Sequence, residues 1–245
     1  MGRQVVPRRP ILIAAGAILA LLLLGLAGAY AYYFTGIRTA AKPLSLSSPS
    51  PAASASPSPG PSASSLAGNW MVGSGSIAGY LVSERFAGQT SSHQAEARTS
   101  SVTGGLTVAG ANASAINIAV DLTSLHSVDQ VLGFNVSNRD RIVSQALSVQ
   151  QFPQATFKAD LITLPAGLDS GQQATVSAPG QLTIHGVTRP VTASIKAQLS
   201  GSTVQVLGTI VSNMTDFGVT PPQLSITVVQ PQVTVEFQLN FTRSP

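Results

Sequence analysis

The sequence predicts an all-β domain at residues 66–245, preceded by a single transmembrane helix and a disordered linker. Three features support this prediction: alternating apolar and polar residues, short turn signals between the alternating runs, and one long uncharged apolar segment near the N-terminus. Repeated strands joined by short turns are typical of an antiparallel sandwich or barrel, and a domain of this length suits one such fold.

The apolar segment at residues 11–34 contains no charged residue. As an α-helix it would measure about 36 Å, which is enough to cross a hydrocarbon core of roughly 30 Å. Three arginines precede it, so we expect a signal anchor in the cell membrane, with residues 1–10 cytoplasmic and the β domain outside. Cleavage after Ala31 is the alternative, because Ala29-Tyr30-Ala31 fits a signal-peptidase pattern. Both interpretations export the domain.

Residues 35–65 are predicted to form a disordered linker. Positions 43–65 hold six prolines and ten serines, and such a segment buries too little apolar surface to offset the entropy of ordering it. In an extended polyproline conformation it would reach about 70 Å.

The charge balance argues against a nucleic-acid partner. Residues 66–245 contain eight basic and nine acidic side chains, so the domain lacks the excess of positive charge that binds phosphates. The chain has no cysteine, which removes disulfides and thiolate chemistry.

The alternation of apolar and polar residues predicts strands whose apolar faces form a common core. It breaks at residues 127–150, where apolar residues follow helical spacings. We expect a short helix over Arg141 to Gln150, capped by Asn138 or Asp140 and unable to continue past Pro153. This segment is predicted to pack across one mouth of the barrel as a lid.

The sequence offers few candidates for catalysis or metal binding. The histidines His93, His126 and His185 lie far apart, and His126 with Asp129 is only a weak H-x-x-D pair. His185 falls where a hairpin turns. No nucleophile elbow, zinc motif or phosphate loop is present, so we expect no catalytic residue, metal or cofactor.

The densest charge cluster of the domain is Arg139-Asp140-Arg141. It could bind an anionic headgroup at the barrel mouth, but salt bridging and capping of the helix is the favoured interpretation. Glu84 and Glu96 would form a carboxylate pair only if folding brought them together.

Several different short motifs follow one another along the chain in a characteristic order. The hairpin sequence at residues 180–191 is the most specific of them. The others are Trp70, residues 76–84, residues 98–106, residues 120–125, Arg139-Asp140, residues 152–157 and Asp216-Phe217-Gly218-Val219. Together they resemble the bacterial YceI-like family over roughly residues 69–243.

The resemblance implies an eight-stranded antiparallel lipocalin-like barrel that holds an isoprenoid or similar amphiphile, with no enzymatic activity. Apolarity and position in the motifs select six candidate ligand-binding residues: Tyr80, Val82, Phe134, Phe152, Phe157 and Phe217. The expected partners are this lipid-like molecule and, through the N-terminal helix, the membrane; homodimerisation is left open. A filled barrel acting as a structural or interaction module is the main alternative, and a lipid hydrolase or isomerase is a further one.

Overall fold

A computed structural model describes residues 18–30, 41–46, 66–87, 92–130, 136–224 and 227–244. The described part of the chain is almost entirely β-structure, with two α-helices, α1 at residues 18–30 and α2 at Val136–Ala146. The strands are β1 Gly68–Val72, β2 Ile77–Phe86, β3 His93–Thr99, β4 Val102–Ala109, β5 Asn112–Asp121, β6 His126–Ser127, β7 Gln154–Thr163, β8 Ala174–Ile184, β9 Val187–Ser200, β10 Thr203–Asn213, β11 Gln223–Leu224 and β12 Thr227–Arg243. Short 3-10 turns occupy Leu122–Ser124, Leu168–Ser170 and Met214–Phe217.

Three pairs of short strands act as long interrupted strands. Strands β1 and β2 pair in nearly continuous register with β4 and β3, since Trp70 lies opposite Leu106 and Ala78 lies opposite Thr99. Strands β5 and β6 likewise continue one another beside β4 and β3. Counted in this way, the described residues form eight long antiparallel strands, with β11 as a small appendage on β12.

The sheet is closed. Each long strand pairs with the next along the chain, and β12 returns to pair with both β1 and β2. The predicted eight-stranded antiparallel barrel is therefore confirmed. Its α2 end lies where β2 finishes and β12 begins, and its far end carries the turns at residues 110–111 and 201–202.

Every second side chain along a regular strand points into the barrel, because successive strand residues face opposite sides of the sheet. At the far end Trp70 is buried, its indole N–H donates to the Leu66 carbonyl over 2.8 Å, and the Arg243 guanidinium lies 5.0 Å from its ring centre. These contacts hold the end of β1 against the end of β12.

The expected boundaries of the helix were wrong: the helix runs from Val136 to Ala146 rather than from Arg141 to Gln150. Asp140 does not cap it, because its carboxylate accepts hydrogen bonds from the backbone and hydroxyl of Ser127 on β6. The helix stops before Pro153 because Ser148 takes a left-handed conformation with φ of 46°, and Val149 N–H bonds the Ser144 carbonyl in a Schellman-type ending.

The N-terminal prediction is only partly covered by the structure. Residues 18–30 are helical, whereas residues 11–17 and 31–34 of the predicted span lie outside the described residues. Among the helices that are described, none is both long and apolar enough to cross a membrane. Of the predicted linker, residues 41–46 run along the outer face of the barrel, where the Lys42 carbonyl accepts from Arg98 over 2.7 Å.

The hairpin between β8 and β9 is confirmed. Ile184 and Val187 pair directly across His185 and Gly186, whose φ angles are 53° and 74°. Two positive φ values in a two-residue turn define a type I′ turn, which matches the twist of the strands. Two constraints favour glycine at position 186. The turn requires a positive φ there, and a Cβ would lie 2.6 Å from the Phe152 ring.

We predict that Gly186→Ala lowers the free energy of unfolding by about 2–3 kcal/mol, through left-handed strain plus overpacking against Phe152. Urea denaturation followed by the fluorescence of Trp70, the single tryptophan, measures the loss. Gly110→Ala is the matched control, since φ there is 58° but no atom lies within 4 Å of the added Cβ, so only about 1 kcal/mol should be lost. Equal losses in the two variants would contradict the contact with Phe152.

Candidate ligand-binding cavity

The barrel surrounds a cavity of about 430 Å³. Its wall is built from the inward-facing residues of every long strand, the apolar face of α2 contributes Ile142, Val143 and Ala146, and Leu147 follows directly after the helix. Aliphatic and aromatic side chains make up most of the lining, so the space suits an apolar occupant.

Four of the six candidate residues come together in this cavity: Tyr80, Val82, Phe157 and Phe217. Phe152 is not among the lining residues; its ring packs edge-on against His185, with centroids 5.2 Å apart. Phe134 lies outside the described residues. That these residues contact a ligand stays a prediction.

The hydrophilic side chains of the lining gather toward the α2 end. They are Tyr80 and Glu84 on β2, Asn138 and Arg139 on α2, Thr156 near the start of β7 and Thr227 at the start of β12. At the far end the wall consists of residues such as Leu66, Val108 and Phe241. The cavity is therefore amphipathic along its length.

A buried ionic network joins α2 to the barrel. Asp129 is 2% exposed and accepts hydrogen bonds from His93 Nε2 over 2.7 Å, from the Glu96 N–H over 3.0 Å and from Arg139. The Arg139 guanidinium also lies 3.4 Å from Glu84 Oε1. Burial alone would raise the pKa of Asp129, but these bonds outweigh it and lower the pKa to about 2.

Arg139 thus makes a structural salt bridge, as the favoured interpretation of Arg139-Asp140-Arg141 expected. Arg141 lies on the exposed side of the helix, where its guanidinium bonds the side chains of Asn138 and Gln145.

Tyr80 places a hydroxyl inside the cavity. Burial raises its pKa well above the usual value, and the nearby Arg139 offsets only part of that effect. The phenol therefore stays protonated at neutral pH. It can donate a hydrogen bond to an acceptor within the cavity.

The histidines have structural contacts in this fold. His126 Nδ1 is 3.1 Å from the Ser124 carbonyl, and it is His93 that pairs with Asp129. In the turn, His185 bridges Ser148 Oγ over 3.1 Å and the Phe217 carbonyl over 3.3 Å. The described residues hold no group of three metal-ligating side chains.

Glu84 and Glu96 lie on opposite faces of the sheet, so they do not form a pair. Glu84 faces the cavity, whereas Glu96 lies on the outer face beside Glu236 and Arg98, with Arg98 Nε 2.7 Å from Glu236 Oε1. Burial, and then the charge of Glu236, raise the pKa of Glu96 to about 7.

Sequence reasoning missed both carboxylate clusters. His93 and Asp129 are separated by 36 positions, and Arg98 and Glu236 by 138. Contacts between residues so far apart in sequence leave no local pattern. Only knowledge of the strand register could have indicated them.

We predict that stability falls as the pH rises from about 4.5 to 7, because folded Glu96 keeps its proton while the unfolded residue loses it. Glu96→Gln should flatten this part of the pH profile, measured by urea denaturation at intervals of half a pH unit. Asp160→Asn, at an exposed carboxylate, is the control and should leave the slope unchanged. An unaltered slope in Glu96→Gln would refute the assignment.

A closed antiparallel barrel around an apolar cavity places the protein in the class of small lipocalin-like barrels. The YceI-like domain model matches residues 72–241, and the chain belongs to the YceI-like family.

Three similar proteins differ from this chain at most of their aligned positions. A UPF0312 protein of Pseudomonas putida (strain W619) is 29% identical over 143 residues, which are 54% of this chain and 68% of that protein. A polyisoprenoid binding domain from Saccharophagus degradans, implicated in plant cell wall breakdown, has a similar structure, with a TM-score of 0.54 and 18% identity over 71% of this chain and 98% of that one. BcnA of Burkholderia cenocepacia gives a TM-score of 0.48 and 20% identity over 66% of this chain and 95% of that one.

Proposed function

We propose that this protein is a membrane-tethered, extracytoplasmic barrel that binds or carries a long apolar ligand, an isoprenoid or similar lipid-like amphiphile. The observation that carries the proposal is the amphipathic cavity of about 430 Å³ within the barrel. This volume lies in the range of protein sites for small molecules. The cavity also favours a carrier over a filled barrel.

The energetics need no charge or metal. Each buried methylene contributes roughly 0.8 kcal/mol, so ten of them give about 8 kcal/mol before the costs of association. The relative from Saccharophagus degradans, a polyisoprenoid binding domain, supports an isoprenoid as the ligand class.

The orientation of the ligand follows from the cavity. Its tail would extend toward Trp70 at the far end, and its polar head would lie near Tyr80 at the α2 end. The Tyr80 hydroxyl would then donate to an oxygen of the head.

Charge at the α2 end selects against an anionic head. Arg139 is the one basic side chain among the described residues that line the cavity, and its guanidinium contacts the carboxylates of Asp129 and Glu84. The positive charge of Arg139 is thus compensated, and the carboxylates beside it would repel a phosphate. We therefore infer a neutral head with a hydrogen-bond acceptor.

The cell-envelope setting of the proposal comes from the sequence. The uncharged segment at residues 11–34 and the arginines before it support a signal anchor with the barrel outside the cell membrane. The linker would let the barrel collect its ligand from that membrane or return it.

We predict that Val82→Phe weakens the binding of geranylgeraniol by about tenfold or more, because the added ring occupies ligand volume. Trp70 lines the cavity and is the single tryptophan, so its fluorescence reports occupancy in the purified full chain. Val211→Phe, at an outer position that is 62% exposed, should bind like the unaltered protein. Equal affinity in the two variants would refute binding in the cavity.

Geranylgeraniol and geranylgeranyl phosphate form a matched pair of ligands that tests the head. The alcohol should bind at least about tenfold more tightly, which corresponds to 1.4 kcal/mol. Tyr80→Phe should weaken binding of the alcohol about threefold to tenfold, as expected for one neutral hydrogen bond. Tighter binding of the phosphate would contradict the charge argument and leave the tail site intact.

A further inference from the structure

The barrel wall has a weak seam between β7 and β8. Among the described residues, only three pairs join these strands, Thr156–Thr183, Phe157–Leu182 and Lys158–Gln181. On their other sides, β7 pairs with β5 and β8 pairs with β9 over nearly their full lengths. Toward the far end, residues 159–163 and 174–180 therefore face each other without a ladder.

Pro179 explains where the ladder stops. Ile184 and Val187 flank a two-residue turn and form a hydrogen-bonded pair, so the odd-numbered residues of β8 turn their backbone groups toward β7. Gln181 is the last of these to pair, and the next, Pro179, has no N–H to donate.

The loop at residues 164–173 joins the far ends of β7 and β8 beside this gap, and its 3-10 turn packs against β9. The turn buries a single side chain, Leu168, which is 3% exposed and lines the cavity. Leu168 is therefore the side chain with which this turn covers the cavity.

The same loop is attached loosely to the barrel. Gly167 and Gly171 flank its turn with φ of 86° and 79°. The backbone bonds of its interior run between its own residues, from Ser170 and Gln172 to Gly167 and from Gly171 to Leu168. Short elements with few external bonds open at low free energy, whereas paired strands do not.

We propose that an apolar ligand enters and leaves the barrel through the seam between β7 and β8, and that Leu168 is the side chain that closes this route. The inference rests on the proposed function in one respect, namely that a ligand occupies the cavity. It moves the entrance from the α2 end, where the sequence suggested a lid, to the far end.

Among the described residues at the other end of the barrel, α2 is held much more strongly. Helix α2 is fixed by the buried contacts of Arg139 with Asp129 and Glu84, and opening it would leave buried charges unpaired. Residues 187–193 of β9, at the α2 end, also lack a β10 partner. The turn at Met214–Phe217 covers them, and the Asp216 carbonyl accepts a hydrogen bond from Arg189 over 2.8 Å.

The first test needs no ligand. The chain has no cysteine, so Leu168→Cys provides a unique thiol whose labelling by a maleimide reports opening of the loop. Ala78→Cys is the control, because that buried residue lies on β2, which is paired on both sides, and should react only on wider unfolding. Leu168→Cys should react at least about tenfold faster in the purified full chain. Equal rates would overturn the proposal, whatever the protein binds.

The second test uses the methyl ester of cis-parinaric acid, a neutral fluorescent long-chain probe, in stopped-flow experiments. Leu168→Ala should raise the association and dissociation rates together, by about tenfold, while the Kd changes much less. Ile142→Ala, which removes a lining residue of α2, should act mainly on dissociation.

The two failures are distinguishable. A higher association rate in Ile142→Ala but not in Leu168→Ala would place the entrance at α2 and overturn the proposal. Failure of the probe to bind any variant would instead contradict the proposed function, and the thiol labelling would still decide whether the loop opens.

Discussion

Closure of the sheet by β12 is the constraint on which the rest of the structure depends. This strand pairs with β10 along one edge and with both β1 and β2 along the other. A closed antiparallel sheet leaves no free edge, and its inner face must be apolar whether or not side chains fill it. Here the wall encloses about 430 Å³ that the side chains leave open.

The second constraint is the buried charge at the α2 end. Asp129 is stable inside the protein because His93, Arg139 and the Glu96 amide all donate to it. Such a network contributes little net stability but is costly to break. It therefore fixes the position of α2 against the barrel. The same charges make the cavity amphipathic.

Much of the fold could be predicted from the sequence because apolar and polar residues alternate along each strand with a period of two. The hairpin at His185-Gly186 was predicted for the same reason, together with its turn chemistry. The start of α2 could not be predicted, because Asp140 resembles a cap until its true partner, Ser127, is known. The division of three long strands into six short ones also left no clear local signal.

The candidate site was predictable only in part. Tyr80, Val82, Phe157 and Phe217 follow from apolarity and position in the motifs, and the structure places all four in the cavity wall. Phe152 has the same apolarity, but it meets His185 because the chain turns there. The cavity itself was beyond sequence reasoning, since a filled and a hollow barrel require the same apolar inner face. Leu168 was missed because a lone leucine between glycines carries no periodicity.

Native mass spectrometry of the full chain, purified from a bacterial host that supplies membranes, tests the central claim most directly. The account predicts one bound molecule per chain, several hundred daltons in mass, lost on denaturation and identified by solvent extraction as a neutral isoprenoid or similar lipid. A bare protein mass that stays bare after incubation with geranylgeraniol would contradict the carrier function.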